Sequence, residues 1–231
     1  MYFYVPSNGE HVARFFMNTL FAVAYFSTFS PLLPFALSFR IKKITHEIRL
    51  VQIITATSFI IDLASFLMAR KGINTFALGN LYSLIQSSLL LLIFCDVLNL
   101  KRWSVYVTLT FGTAFLANYF FIQGPFVFNS YTHIISAFIF ILLALLYFRR
   151  LLIELPSTFP NEIPMVWINL AVLVYYSGNL FLFILNNYFI HELKGNEGAI
   201  WTIHNSLNIV KNFLFLMAIW QSLRKTNLSS Y

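Results

Sequence analysis

The sequence predicts an all-α membrane protein: one transmembrane domain over residues 1–231, built from seven spans. Three observations predict it. Hydrophobic residues make up 59% of the chain and charged residues 10%, where soluble domains carry roughly 25% charge. Apolar runs of membrane-crossing length recur along the chain, and mean hydropathy is +0.74. Lys and Arg fall unequally on the two sides of those runs.

A hydrocarbon core about 30 Å thick takes roughly 20 helical residues. The first run, 15–39, is long and holds Pro31 and Pro34. A proline lacks the amide hydrogen of a helical ladder, so a kink or early end is expected there. The second and third runs, 50–68 and 77–98, carry isolated polar residues on one face. The fourth and fifth runs are 103–122 and 131–148. The 149–164 connection contains Pro156, Pro160 and Pro164, which predicts a rigid loop. The sixth and seventh runs, 165–190 and 199–223, carry Asn179 and the stripe of His204, Asn205, Asn208, Lys211 and Asn212. Trp103, Trp167, Trp201 and Trp220 fall near span ends, where interfacial aromatics belong. No cleavable signal peptide is expected, because the first run is long and lacks a small-residue cleavage site.

Orientation follows from the cations. Arg40, Lys42, Lys43, Arg49, Lys101, Arg102, Arg149, Arg150, Arg224 and Lys225 fall on one side; Arg14, Arg70, Lys71 and Lys194 fall on the other. The positive-inside rule puts the amino terminus outside and the carboxyl terminus in the cytoplasm. Cationic inner loops explain the net charge of +7, so nucleic acid is not implied. The lone Cys95 excludes an internal disulfide and a cysteine-rich metal cluster. The expected location is the bacterial cytoplasmic membrane, crossed many times.

Spans one to three and five to seven would run in the same directions, with span four as connector. Asp62-Leu63-Ala64-Ser65-Phe66 in span two echoes Asn179-Leu180-Phe181-Leu182-Phe183 in span six. Tyr82 and Gln86 in span three echo His204 and Asn208 in span seven. A parallel three-plus-one-plus-three repeat is one plan for small transporters; chance similarity of apolar helices is the alternative.

Lys211 is the residue that asks most for an explanation. It lies mid-way along the last run, and positions 204, 208, 211 and 212 share one helix face. An intramembrane charge faces protein or trapped water and marks a functional site by default. At 1.5 Å per residue, Asp62 lies about 18 Å from the inner end of span two, and Gln86 about 14 Å below the outer end of span three. Asn179 lies about 21 Å from the inner end of span six; Asn208 and Lys211 lie about 14 and 18 Å below the outer end of span seven. These depths coincide. Thr55, Ser58, Asp62 and Ser65 share a face, as do Gly79, Tyr82, Ser83 and Gln86; Tyr175, Tyr176, Asn179 and Asn186 cluster on span six. The candidate ligand-binding residues are therefore Asp62, Tyr82, Gln86, Tyr176, Asn179, His204, Asn208 and Lys211. For the neutral members, interhelical hydrogen bonding worth about 0.6 kcal/mol per contact is the competing reading. For Asp62 and Lys211 it is a plain ion pair locking two helices. Asp96, beside Lys101 and Arg102, is expected to meet water, and His46 and Glu47 to be solvated loop.

Other chemistry has little support. Lys211 suits a retinal Schiff base by position, but Leu207 stands where microbial rhodopsins place an acid, and their third-helix acid pattern is missing from 77–98. A zinc site could draw on His11, His133, His191 and His204, yet no two are spaced as a helical His-x-x-x-His pair. No nucleophile motif, phosphate loop or redox pair is present, so no cofactor and no catalytic residue is assigned, and an enzyme is not expected.

Several segments resemble a family of uncharacterised bacterial seven-helix membrane proteins. They are Phe128-Asn129-Ser130-Tyr131, Tyr147-Phe148, Trp167-Ile168-Asn169, Tyr176-Ser177-Gly178-Asn179-Leu180-Phe181, and Ile203-His204-Asn205 through Asn208-Ile209 and Lys211-Asn212. The likeness covers the second half of the chain. It implies topology and an integral-membrane location, and no established activity. Members often carry an acid on span three where this chain has Gln86. The functional expectation is an outward-facing receptor or sensor that binds a small ligand or lipid between spans two, three, six and seven. It would act through a separate cytoplasmic or membrane signalling partner reached by the basic loops. A small-solute transporter and a structural subunit are the alternatives.

Overall fold

The computed structural model describes residues 10–155, 159–192 and 197–228, with side chains over 19–155, 159–184 and 201–225. Among the described residues every regular element is a helix. They are α1 (Glu10–Phe29), α2 (Leu32–Ser38), α3 (His46–Ala69), α4 (Phe76–Val97), α5 (Ser104–Ala117), α6 (Ser130–Glu154), α7 (Pro164–Glu192) and α8 (Glu197–Leu228).

The first expected span is broken where its prolines require. α1 ends at Phe29, Ser30-Pro31 turn, and α2 resumes at Leu32. α5 ends in a π-helical turn, Asn118–Ile122, closed by Gln123 N donating to Asn118 O at 3.0 Å. Three expectations need correction at the helix ends. His46 and Glu47 form the first turn of α3 rather than a loop. α6 continues through Arg149 and Arg150 to Glu154, because Arg150 Nε bonds Glu154 Oε1 at 2.6 Å and Arg150 Nη1 bonds Val97 O at 2.6 Å. Only the remainder of the expected proline-rich loop is non-helical or a 3-10 turn, Pro160–Glu162, with 156–158 outside the described residues. Asp96 keeps partial exposure beside Lys101, as expected: Lys101 Nζ lies 3.7 Å from Oδ1, and His46 Nδ1 adds a contact at 3.2 Å from Oδ2.

Six stretches are long and apolar enough to cross a membrane: Thr19–Ser38, His46–Ala69, Phe76–Val97, Lys101–Ile122, Ser130–Glu154 and Pro164–Ile184. That is the pattern of a multi-pass membrane protein. The expected seventh span, on α8, is not among the six. Its 32 residues are ample in length, but His204, Asn205, Asn208, Lys211 and Asn212 dilute its apolar character.

α8 is central, touching α7, α1, α2 and α3; α6 packs on α7, and α5 lies outside against α4. The tightest apolar packing gathers at the end of the bundle that carries Arg49, Lys101 and Arg150. Val51 and Ile54 of α3, Ile93 and Phe94 of α4, Phe140 of α6, Ile168 of α7 and Ile219 of α8 are all fully buried there. Towards the other end α3 loses its cover, and no residue of α3 beyond Ser58 is buried. Large apolar side chains such as Phe121 and Leu152 point outward, as they do where the solvent is hydrocarbon.

α7 and α8 approach closely at Gly178. A Cβ there would lie 2.6 and 2.8 Å from the two Leu207 methyl carbons. Both methyls collide, so Leu207 must change rotamer or shift to clear the site. Gly178→Ala is expected to cost about 1–2 kcal/mol, seen as a lowered unfolding midpoint in detergent, and Leu207→Ala in the same chain should recover part of it. Additive losses would show that the two helices do not meet at this point.

Candidate functional site

Helical periodicity delivers most of the polar residues to one place. On α8, His204, Asn208 and Lys211 recur at i, i+4 and i+7, so they line one stripe. α3 offers Ser58 and Asp62, α4 offers Tyr82 and Gln86, and α7 offers Tyr175, Tyr176 and Asn179.

Lys211 forms the floor. It is 2% exposed. Its ammonium donates to Gln86 Oε1 at 3.1 Å and to Tyr82 OH at 3.2 Å. Tyr82 OH in turn donates to Gln86 Oε1, and Gln86 Nε2 donates to Tyr176 OH at 3.1 Å. The ammonium also sits 4.5 Å from the Tyr175 ring centre and 5.5 Å from that of Tyr82, within the range of a cation–π contact. Three helices are thus tied through one amide. Gln86 uses both ends of its side chain, and its oxygen accepts two donors.

Asp62 does not close on Lys211. Among the described residues the direct ion pairs are His46–Asp96, Lys101–Asp96 and Arg150–Glu154. The expected alternative of a plain Asp62–Lys211 ion pair, a locked contact between α3 and α8, is therefore not what forms. The Asp62 carboxylate accepts from Ser58 Oγ at 3.0 Å, lies beside Asn208, and feels Lys211 through space. It stays partly exposed, as do Tyr82 and His204, while Gln86, Asn208 and Lys211 are buried. Exposure therefore grades from the floor toward the end of the bundle where α8 begins.

The other candidates hold helices together. His204 Nδ1 and Asn179 Oδ1 are 2.7 Å apart, and Asn179 Nδ2 donates to Tyr175 O at 2.8 Å, so α7 positions the imidazole. The His204 ring meets Tyr175 and Trp201 edge-on. Trp201, near the start of α8 as expected, is partly buried and packs against His204 and Phe128. Asn208 Nδ2 donates to Ser27 Oγ at 3.0 Å, and Asn212 Nδ2 donates to Ser30 Oγ at 2.7 Å.

These contacts add a fifth wall. Four helices were expected around the site, and α1 joins them through Ser27, with Ser30 added from the turn that follows it. Isolated serines in an apolar run gave the only hint. Tyr175 was expected on the right helix but not in the site, although it holds the nearer ring face to Lys211. His133 belongs to a neighbouring cluster, stacked on Phe128 at 4.4 Å and 3.4 Å from Ser83 Oγ. The side chains of Asn186, His11 and His191 lie outside those described. Among the described residues, no three His, Cys, Asp or Glu side chains converge as metal ligands.

Comparison with protein-family models, with curated proteins and with solved structures finds no match for the chain. The residues that carry the sequence resemblance nonetheless have definite work. Tyr176, Asn179, His204, Asn208, Lys211 and Asn212 make the contacts above, and Gly178 sets the α7–α8 distance.

Proposed function

We propose that the chain is a seven-span protein of the bacterial cytoplasmic membrane, amino terminus outside, that binds a small ligand or lipid from the outer side and signals through a separate partner. α8 is the seventh span in this reading, with its polar stripe facing protein rather than lipid. The motif resemblance supports the same topology.

One observation carries the proposal. Asp62 and Lys211 sit on facing helices, at similar depth, and each bonds neutral groups rather than the other. A pair serving only to lock helices would be expected to meet, since a buried charge is compensated best by direct contact. Charges held open beside partly exposed walls are what a ligand site needs. Beneath Lys211, packed side chains such as Phe94 and Ile219 fill the bundle. That packing supports binding without passage and favours a receptor over the transporter alternative. The basic inner loops would be the partner's contact.

Native mass spectrometry of the protein released from lipid nanodiscs, beside Asp62→Asn, tests the reading. A discrete added mass in the wild type, absent from the variant, is expected. Substrate-dependent accumulation inside sealed vesicles would move the assignment to a transporter. A bare mass for both proteins, with unfolding midpoints unmoved by any added lipid or metabolite extract, would remove the ligand site.

A further inference from the structure

The two charges of the site do not have the same freedom, and this difference bears on the class of ligand. The inference rests on the ligand-binding reading above. An ammonium has three donors and no acceptor. In Lys211 two donors are already used by Tyr82 and Gln86, two ring faces cover the group, and the side chain is 2% exposed. An incoming anion would have to displace these oxygens to reach it. Asp62 is in the opposite condition. An ionised carboxylate offers about four lone-pair sites. Here Ser58 fills one and Asn208 adds a second polar neighbour, no cation among the described residues stands within 4.0 Å, and the residue is partly exposed.

The surroundings of Asp62 continue the pattern. Phe66 lies one turn further along α3 on the same face. Its ring pairs with Tyr25 of α1 at 4.7 Å between centres. The guanidinium of Arg70 lies 5.9 Å from the Phe66 ring centre, so a cation already rests against this rim. Aromatic faces attract ammonium groups and also cover apolar bodies.

We propose that Asp62 is the ligand-facing charge and that the ligand is a small organic cation, a protonated amine on an apolar or aromatic body. Lys211 is then a positioning residue, an internal counter-charge that holds Tyr82 and Gln86 in place and touches no ligand. The assignment reverses the simpler expectation that a buried lysine binds an anion.

The test uses the full chain in nanodiscs and three probes of one shape: 2-phenylethylamine, 3-phenylpropionate and 2-phenylethanol. Binding is read by calorimetry and by the shift of the unfolding midpoint, with empty nanodiscs subtracted for lipid partitioning. The amine is expected to bind saturably and the other two far more weakly. Asp62→Asn should weaken the amine about tenfold or more, as loss of a charge-assisted hydrogen bond requires. Lys211→Met, which removes the internal counter-charge, should lower the unfolding midpoint without inverting the order of the three probes. Preferential binding of the carboxylate, lost in Lys211→Met, would overturn this assignment while leaving the ligand site standing. Equal binding of amine and alcohol, unchanged in Asp62→Asn, would overturn it too. No binding by any probe into the millimolar range would overturn the amine assignment, while the ligand site itself would stand or fall by the mass and midpoint measurements above. If Asp62→Asn does not fold, the ranking of the three probes on the wild type still decides.

Discussion

Gln86→Leu is expected to destabilise the protein by about 3–5 kcal/mol, the cost of leaving a buried charge without its partner. Leucine fits the space but provides no oxygen. The Lys211 ammonium then keeps only Tyr82 OH, Tyr82 loses the acceptor for its own proton, and Tyr176 OH loses its donor. Lys211→Met should cost much less, since it removes the charge and leaves Gln86 and Tyr82 bonded to each other. The double variant should therefore be more stable than Gln86→Leu alone. Gln86→Glu is the informative counterpart. It puts a carboxylate 3.1 Å from the ammonium, in the place of the amide oxygen, and should match or exceed the wild type. Thermal or SDS unfolding of the four variants beside the wild type measures all of this, because residues in one hydrogen-bonded network couple by about 0.5–3 kcal/mol. Additive losses from Gln86→Leu and Lys211→Met would mean that the two side chains do not share a network.

Helix positions were legible in the chain because apolar runs bounded by cations and prolines are the strongest signal a membrane protein has. The break at Pro31 follows from the missing amide alone. The helix ends were less legible. α6 outruns its apolar segment because Arg150 finds Val97 O and Glu154 in space, and composition has no access to such partners. α8 shows the opposite limit. The polar residues that make it interesting are the same ones that keep it out of the six clearly apolar stretches. Hydropathy averages a helix, whereas a polar stripe buried on one face is a property of its angle.

The candidate site divides along similar lines. Depth and periodicity bring Gln86, Tyr82, Tyr176 and Lys211 together, since both follow from 1.5 Å and 100° per residue. Which group contacts which does not follow. Tyr175 and Tyr176 are adjacent in sequence and both reach the site, Tyr175 by its ring and Tyr176 by its hydroxyl. Only the rotation of α7 against α8, set by the close approach at Gly178, decides that. Ser27 and Ser30 gave only a faint signal because a serine in an apolar run usually satisfies itself on nearby backbone. Ser30 does so, donating to Ser27 O at 2.9 Å, and still accepts from Asn212. The separation of Asp62 from Lys211 was the hardest to foresee. Two opposite charges at equal depth invite pairing, and only side-chain geometry keeps them apart.

Lys211→Glu should have the largest effect of any single change in the site. Three contributions reverse sign together. The negative faces of Tyr175 and Tyr82, which attract the ammonium, repel a carboxylate. The Gln86 oxygen and the new carboxylate are both acceptors, and turning the amide to donate would take that oxygen away from Tyr82. Asp62, held nearby, becomes a like charge. A loss of about 3–5 kcal/mol or more is expected, enough to abolish recovery of folded protein in mild detergent, whereas Lys211→Gln, neutral and of similar reach, should be recovered. The exchange variant Asp62→Lys with Lys211→Glu separates the causes. It restores the attraction between positions 62 and 211 but leaves the carboxylate among ring faces and acceptors. It should stay close to Lys211→Glu in stability if the enclosure of position 211 is shaped for a cation. Recovery to the wild-type midpoint would instead mean that mutual attraction is the main role of the two charges. The site would then be a loose structural pair across α3 and α8, with Asp62 no longer free to meet a ligand.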